Sequence, residues 1–259
     1  MRLDKYVSLA QVGTRKKVKE YIYNGMVTVN DEVVTIPAME VDPKQDVIAF
    51  EGKVLGNIEK VCYMFHKPQG CITAKRDENY KTVFDYFEDI DTTGLFAVGR
   101  LDRNTEGLLL ITNDGNLNHR LMNPEHHVKK TYYFWVFGKI DKKGMQAIEL
   151  GMDIGGGEFA APGQIEIVKA GRYSELKTDM QQDGCYTVKR NLHREDVTAG
   201  YLTISEGKKH QVKRMMRAIG CYVVYLKRVA IGDLELDKTL EIGSYRQLDY
   251  KKLKDFFTT

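Results

Sequence analysis

The chain is poor in cysteine and has no long apolar run. Its four cysteines, Cys62, Cys71, Cys185 and Cys221, are scattered over 259 residues with no Cys-x-x-Cys pair. That spacing argues against a zinc site or a disulfide framework and suits a reducing compartment. No apolar stretch approaches the roughly 20 residues that a membrane-spanning helix needs. The opening Met1-Arg-Leu-Asp-Lys-Tyr6 carries no apolar signal core. A cytoplasmic protein without membrane attachment is therefore expected. No Walker loop occurs. Gly151-Met-Asp-Ile-Gly-Gly-Gly157 departs from the dinucleotide fingerprint and reads as a flexible turn. His126 and His127 are adjacent and would point opposite ways in a strand, with no companion ligands nearby in sequence. No metal and no cofactor are expected.

The composition that remains, 42% hydrophobic and 29% charged, is that of an ordinary folded protein. The length allows one large domain or two smaller ones. A net charge of +3 conceals two basic concentrations. Residues 1–30 carry six bases against Asp4 and Glu20, and residues 200–230 carry seven against Glu206 alone. Solvated lysine faces are common, but two separate clusters in a near-neutral chain point to a polyanion partner.

Hydrophobic spacing predicts a helix through Leu3, Tyr6, Val7 and Ala10, broken at Gly13. Thr14 then caps a second helix to about Tyr23, with Asn24-Gly25 as its stop. The alternating Met26-Val-Thr-Val-Asn-Asp-Glu-Val-Val34 predicts a hairpin turning at Asn30-Asp31, and residues 46–50 a further strand. Residues 51–57 read as a linker, which sets domains at 1–57 and 58–259. Beyond it, strands are predicted near 61–65, 107–112, 132–137, 164–168, 185–189, 201–205 and 221–226. Helices are predicted near 82–87, 116–122, 141–150 and 210–220. The class is α+β: a small α/β N-terminal domain, then a mixed, largely antiparallel sheet with flanking helices.

The order Arg2-Leu-Asp-Lys5, Thr14-Arg-Lys-Lys17 and Asn24-Gly-Met-Val-Thr-Val-Asn30 resembles the S4 RNA-binding module over about residues 1–48. That resemblance implies an RNA surface on the second helix and the loop after it. Arg2, Lys5, Arg15, Lys16 and Lys19 are its candidate phosphate contacts, a kind of contact that positions without reading sequence.

Three later segments carry candidate chemistry. Gly99-Arg-Leu-Asp102 sets a carboxylate beside an arginine just before the aliphatic run Leu108-Leu-Leu-Ile111. An acid on a loop held by a rigid strand is a usual place for a reactive group, although aspartate also simply caps turns. Lys130-Thr-Tyr132 opens a strand with a tyrosine, and Ser205-Glu-Gly-Lys-Lys-His-Gln-Val-Lys-Arg214 runs from a strand into a basic helix. With His66-Lys-Pro-Gln-Gly70 and Thr105-Glu-Gly-Leu-Leu-Leu-Ile-Thr-Asn-Asp-Gly115, these strings resemble the pseudouridine synthases, specifically the RsuA branch, over nearly the full length.

The resemblance implies isomerisation of a uridine within ribosomal RNA, without cofactor. Asp102 matches the family's essential aspartate, Lys213 the cation that pairs with it, and Tyr132 the active-site tyrosine. Arg100 is expected to assist base flipping, a role for which guanidinium is suited. Its alternative is a salt bridge to Asp102 or Glu106. Ile204 is expected to pack on the base, and His210 and Arg214 to contact the RNA. The leading substrate is 16S rRNA in a small-subunit assembly intermediate, bound by a monomer, with 23S rRNA as the rival. Two other classes remain: a non-catalytic RNA-binding or ribosome-assembly factor, and a glycosidase with Glu106 as the second carboxylate that such enzymes usually require. The polar stretch 171–196 reads as an insertion in which no residue is assigned a role.

Overall fold

The structure is a computed structural model, described here over residues 1–10, 12–56, 59–185 and 195–257. It comprises two compact units: residues 1–61 with 87–96 and 112–114, and residues 62–86, 97–111 and 115–259.

In the first unit, α1 (Leu3–Leu9) and α2 (Arg15–Tyr23) precede β1 (Val27–Val29), β2 (Glu32–Val33), β3 (Ile48–Phe50) and β4 (Lys53–Val54). Thr14 caps α2 by accepting from the Lys17 amide at 3.3 Å, as its position in the sequence predicts. Asn30 and Asp31 both take positive φ, 53° and 66°, the geometry of a type I′ turn that matches strand twist. Leu3, Tyr6, Val7, Val18, Ile22, Val27 and Ile48 form the core of this unit.

Residues 51–55 differ from the expected linker. Glu51 and Gly52 also adopt positive φ, so they form a hairpin turn that lets β4 pair with β3. The glycine marks a tight reversal and not a flexible spacer.

In the second unit the strands are β5 (Cys62–Lys67), β6 (Phe96–Ala97, at its boundary), β7 (Glu106–Thr112), β8 (Lys130–Phe137), β9 (Met152–Asp153), β10 (Phe159–Ala160), β11 (Gln164–Arg172), β12 (Asp196–Ile204), β13 (Tyr222–Ile231), β14 (Leu234–Glu235) and β15 (Tyr245–Gln247). Helices α3 (Gly115–Met122), α4 (Lys142–Leu150), α5 (Tyr173–Gln182) and α6 (Gln211–Ala218) interleave. The main sheet runs β11-β12-β8-β13-β7-β5-β15. β8 pairs antiparallel with both β12 and β13, while β13 pairs parallel with β7, so the sheet is mixed and the fold is α+β.

Side-chain alternation along β8 divides the core in two. Phe134 and Val136 pack with Leu202, Ile204, Leu226 and the α4 and α6 residues Ile148, Met215 and Met216. Trp135 joins Val197, Ala199, Tyr225, Tyr173 and Met180 in a second cluster. The first of these sets supports the site.

Two expectations change here. The helix near 82–87 is a single 3-10 turn, Val83–Tyr86, started by the Asp85 carboxylate accepting from the Thr82 amide at 2.7 Å. The polar stretch after residue 171 completes β11 and then forms α5, which buries Tyr173 and Met180. Its polar residues face outward around two anchors, a pattern too sparse for periodicity to register. The strand expected at 185–189 lies, after Cys185, outside the described residues.

Candidate active site

The loop before β7 is held from below by a buried lysine. Lys67, at the end of β5, is fully buried and donates to the carbonyls of Pro68, Asp102, Arg103 and Thr105 at 3.0, 3.1, 3.4 and 2.9 Å. Proline at 68 suits the end of a strand, because it cannot continue the ladder. Four carbonyl dipoles compensate the ammonium, but burial still pulls its pKa down to about 8. The Thr73 hydroxyl clamps the same loop, donating to the Leu101 carbonyl at 2.8 Å and accepting from its amide at 3.1 Å.

Two glycines set how closely this loop packs. Gly99 has φ +67°, and a Cβ there would sit 2.2 Å from the Met122 sulfur. Gly107 has φ +108°, and a Cβ there would meet the Arg228 carbonyl oxygen at 2.2 Å, so only glycine allows β7 to lie against β13.

On this platform the Asp102 side chain meets α6. Lys213 Nζ donates to Asp102 Oδ2 at 2.6 Å and to Asn104 Oδ1 at 2.6 Å. His210 Nε2 lies 3.5 Å from Asp102 Oδ1. The Asp102 side chain is 29% exposed, so its ion pair is partly sheltered without being sealed from solvent.

The turn into α6 is built around Glu206. Its carboxylate accepts from the Ala161 amide at 2.9 Å and from Gln211 Nε2 at 2.7 Å, and it pairs with Lys208. Burial raises the Glu206 pKa, but Lys208 and these donors outweigh it and hold the carboxyl below its usual range. His210, at the helix N-cap, takes φ 54°, which swings the chain so that Lys213 faces the aspartate.

Tyr132 stands mid-strand on β8, between Leu202 of β12 and Arg228 of β13. With Arg100, Asp102, Ile204, Leu226 and Lys213 it lines a cavity of about 80 Å³. The space is on the scale of one flat ring and is open on one side. A wider cleft of about 1130 Å³ shares Arg100, Asp102, Tyr132 and His210 with it. Tyr133 projects to the other core, where its hydroxyl donates to Asp183 at 2.6 Å.

Six of the seven candidate catalytic and substrate-binding residues thus converge: Asp102, Tyr132, Lys213, Arg100, Ile204 and His210. Ile204 is 3% exposed and belongs to the core as well as to the cavity. Arg100 is exposed and forms no ion pair with Asp102 or Glu106, so its guanidinium is available to a ligand. Glu106 is buried beneath the loop instead, within 3.3 Å of His66 Nε2, 3.1 Å of Lys227 Nζ and 3.0 Å of the Tyr225 hydroxyl. It does not line the cavity, which leaves the two-carboxylate glycosidase arrangement unsupported.

Arg214 is the one that lies apart. Its guanidinium donates to the Ile154 carbonyl at 3.0 Å and to the Gly155 carbonyl, and it pairs with Glu158. The glycine-rich turn at 151–157 is therefore pinned by Arg214 and not loose, a correction to the expectation for that turn. His126 ends a 3-10 turn, Pro124–His126, and His127 caps it at φ 47°. Among the described residues no His, Cys, Asp or Glu cluster could hold a metal.

In the first unit, Arg2 and Arg15 both contact Asp4, whose side chain is fully buried, at 3.0 and 2.9 Å. Lys16 and Lys19 are exposed on α2, while Lys5 is half-buried on α1. No helix among the described residues is long and apolar enough to cross a membrane.

Lys67, Asn104 and Gln211 carry no assigned role in the sequence analysis. The Lys-Pro pair at the end of an apolar strand was the one signal available for Lys67; nothing local marks the other two.

A mixed sheet that presents one aspartate paired to a lysine, beside a tyrosine and a ring-sized cavity, defines an RNA-modifying enzyme class once the comparisons are added. The RNA pseudouridylate synthase family matches residues 61–218, and the S4 domain matches residues 1–48. The chain belongs to the RNA pseudouridylate synthase family and carries an N-terminal S4 domain.

It is 36% identical to an uncharacterized RNA pseudouridine synthase of Bacillus subtilis over 98% of this chain and 97% of that one. It is 34% identical to ribosomal small subunit pseudouridine synthase A of Haemophilus influenzae, covering 98% of each. A crystal structure of a pseudouridylate synthase superposes with a TM-score of 0.64 at 32% identity, covering 99% of both chains. The resemblance to the RsuA type therefore extends over the whole chain.

Proposed function

We propose that this enzyme converts one uridine of small-subunit (16S) ribosomal RNA to pseudouridine, with Asp102 as its essential carboxylate. The observation that carries this reading is the 2.6 Å pair between Asp102 and Lys213 at the wall of the ring-sized cavity. The N-glycosidic bond breaks, the uracil turns, and C5 joins C1′ of the same ribose. The proton displaced from C5 is returned at N1, so nothing is gained or lost overall and no cofactor is called for.

Attack at C1′, attack on the ring, and proton abstraction through a glycal all require the same ionised carboxylate. A carboxylate enclosed with a base tends to take up a proton, and a neighbouring cation opposes that. Lys213 supplies the cation. Tyr132 stacks on the uracil and exchanges a proton through its hydroxyl, Ile204 packs on the ring, and Arg100 fills the vacancy left by the flipped base. His210 contacts the RNA from the head of α6. The surface of α2, with Lys16, Lys19 and Arg15, and with Arg2 and Lys5 on or beside α1, holds the RNA by phosphate contacts.

The assignment to 16S rRNA rests on relatives named for the small ribosomal subunit. The chain acts as a cytoplasmic monomer on an assembly intermediate, with an RNA-binding domain at 1–57 and a synthase domain at 58–259. The test is to map pseudouridines in rRNA from cells with and without this chain, then restore the wild type or Asp102→Asn. One 16S position is expected to lose its modification and regain it only with the wild type. A 23S position would move the substrate to the large subunit. No altered position would leave an RNA-binding assembly factor.

A further inference from the structure

Lys130 and Arg228 are two nearly fully buried cations in the wide cleft beside the cavity, at 5% and 2% exposure. Neither pairs with a carboxylate among the described residues. Arg228 Nε donates to the Leu108 carbonyl at 2.8 Å, but its Nη2 is buried with no hydrogen-bond partner. Lys130 Nζ has no acceptor among the described residues.

They stand on adjacent strands, with Arg228 opposite Tyr132 and Ile231 opposite Lys130, so they share the face that carries Tyr132. Burial first, and Arg228 second, pull the Lys130 pKa down to about 8. The two carboxylates of the cleft are already engaged, Asp102 by Lys213 and Glu206 by Lys208 and Gln211.

A buried, uncompensated cation is destabilising, and a packed methionine or leucine would support the strand without that cost. Two of them side by side are suited to an anion that arrives with the ligand. Guanidinium offers a fork to a tetrahedral oxyanion, and the ammonium offers a point charge. A nucleotide with its base in the cavity at Tyr132 carries a phosphate at each side of its ribose, and the cleft that holds both cations is continuous with that cavity through Arg100, Asp102 and Tyr132.

We infer that Lys130 and Arg228 form a phosphodiester subsite that grips the RNA backbone next to the extruded uridine. This rests on the RNA reading above and adds to it the place where the flipped nucleotide is held. The subsite acts in binding and takes no part in bond rearrangement. Gly107 belongs to the same construction, because its missing side chain lets the strand bearing Leu108 approach Arg228.

The test uses the full chain with Lys130→Met, Lys130→Arg and Arg228→Lys. The probes are unmodified rRNA from a strain lacking the chain, and inorganic phosphate. In the rRNA assay Lys130→Met is expected to raise KM about tenfold, leave kcat within about twofold, and reduce the log–log salt slope by about one. Lys130→Arg is expected to restore KM, and Arg228→Lys to fall between. Wild-type KM and slope in Lys130→Met would overturn the subsite, and so would a loss confined to kcat.

The phosphate arm compares melting in phosphate and in chloride at matched ionic strength. Phosphate is expected to raise the Tm of the wild type but not of Lys130→Met. That difference, with KM unmoved, would assign the site to a free anion and overturn the RNA backbone as its ligand. If the wild type modifies no rRNA at all, the proposed function fails separately. The phosphate arm then decides alone: equal shifts in wild type and Lys130→Met overturn the anion subsite.

Discussion

Lys213 Nζ lies 2.6 Å from Asp102 Oδ2, although 111 positions separate the two residues in the chain. The contact joins the loop anchored by Lys67 to the basic helix α6. Replacing Lys213 by Met removes the cation and leaves the partly sheltered carboxylate without its ion-pair partner. Turnover is expected to fall by at least about a hundredfold, while RNA affinity stays within about threefold, the division expected when a positioned charge and not a binding contact is removed. Single-turnover kinetics and filter binding on the same RNA check both outcomes.

Tyr132→Phe separates stacking from proton exchange. The ring would still face Ile204 and Leu226, so KM should hold. Loss of the hydroxyl should lower kcat by about a hundredfold, the scale of one general acid–base contact. A variant as fast as the wild type would confine Tyr132 to packing.

Lys67 gives the site an alkaline limit. Its ammonium holds four carbonyls of the loop, and its pKa is drawn down to about 8. Above that pH it loses its charge and one donor, so activity is expected to fall as pH rises through about 8. Stability moves the other way. The unfolded lysine, with an ordinary pKa of 10.5, binds the proton more tightly than the folded one, so between about 8 and 10.5 this group adds stability as pH rises. Activity and melting profiles measured over that window should diverge, and parallel declines would contradict the assignment.

Gly107→Ala should destabilise the second unit severely. A positive φ costs a non-glycine residue about 1–2 kcal/mol, and the new methyl would also overlap the Arg228 carbonyl. A loss of more than about 3 kcal/mol is expected once the overlap is relieved by strand separation. Chemical denaturation against Gly155→Ala checks it; Gly155 shares the positive φ but has nothing within 4 Å of its added methyl.

On α2, Lys16 and Lys19 are exposed, whereas Arg15 is held on Asp4. The double variant Lys16→Ala/Lys19→Ala should weaken RNA binding and reduce its salt slope by about two, with kcat at saturating RNA unchanged. An unaltered slope would remove this helix from the RNA surface.

Much of this architecture is legible in the sequence wherever a local rule coincides with the fold. Thr14 caps α2, Asn30-Asp31 turns a hairpin, and Val212, Met215 and Met216 give α6 its buried stripe. The triad Asp102, Tyr132 and Lys213 is legible through its motif strings, not through spacing, because three separate elements bring it together. What local rules miss is what tertiary contacts decide. Arg214 looks like a free basic residue beside Lys213, yet the carbonyls of residues 154 and 155 claim it. Glu51-Gly52 resembles a linker and is a turn. Lys130 and Arg228 read as ordinary charges in two strands, and only the packed sheet shows that they are buried without an acid.

The most direct test is single-turnover conversion by Asp102→Asn on the rRNA that the wild type modifies. The asparagine keeps the shape and one acceptor oxygen for Lys213 while removing the charge. No pseudouridine above background is predicted, with RNA affinity close to that of the wild type. Conversion at an undiminished rate would contradict the account.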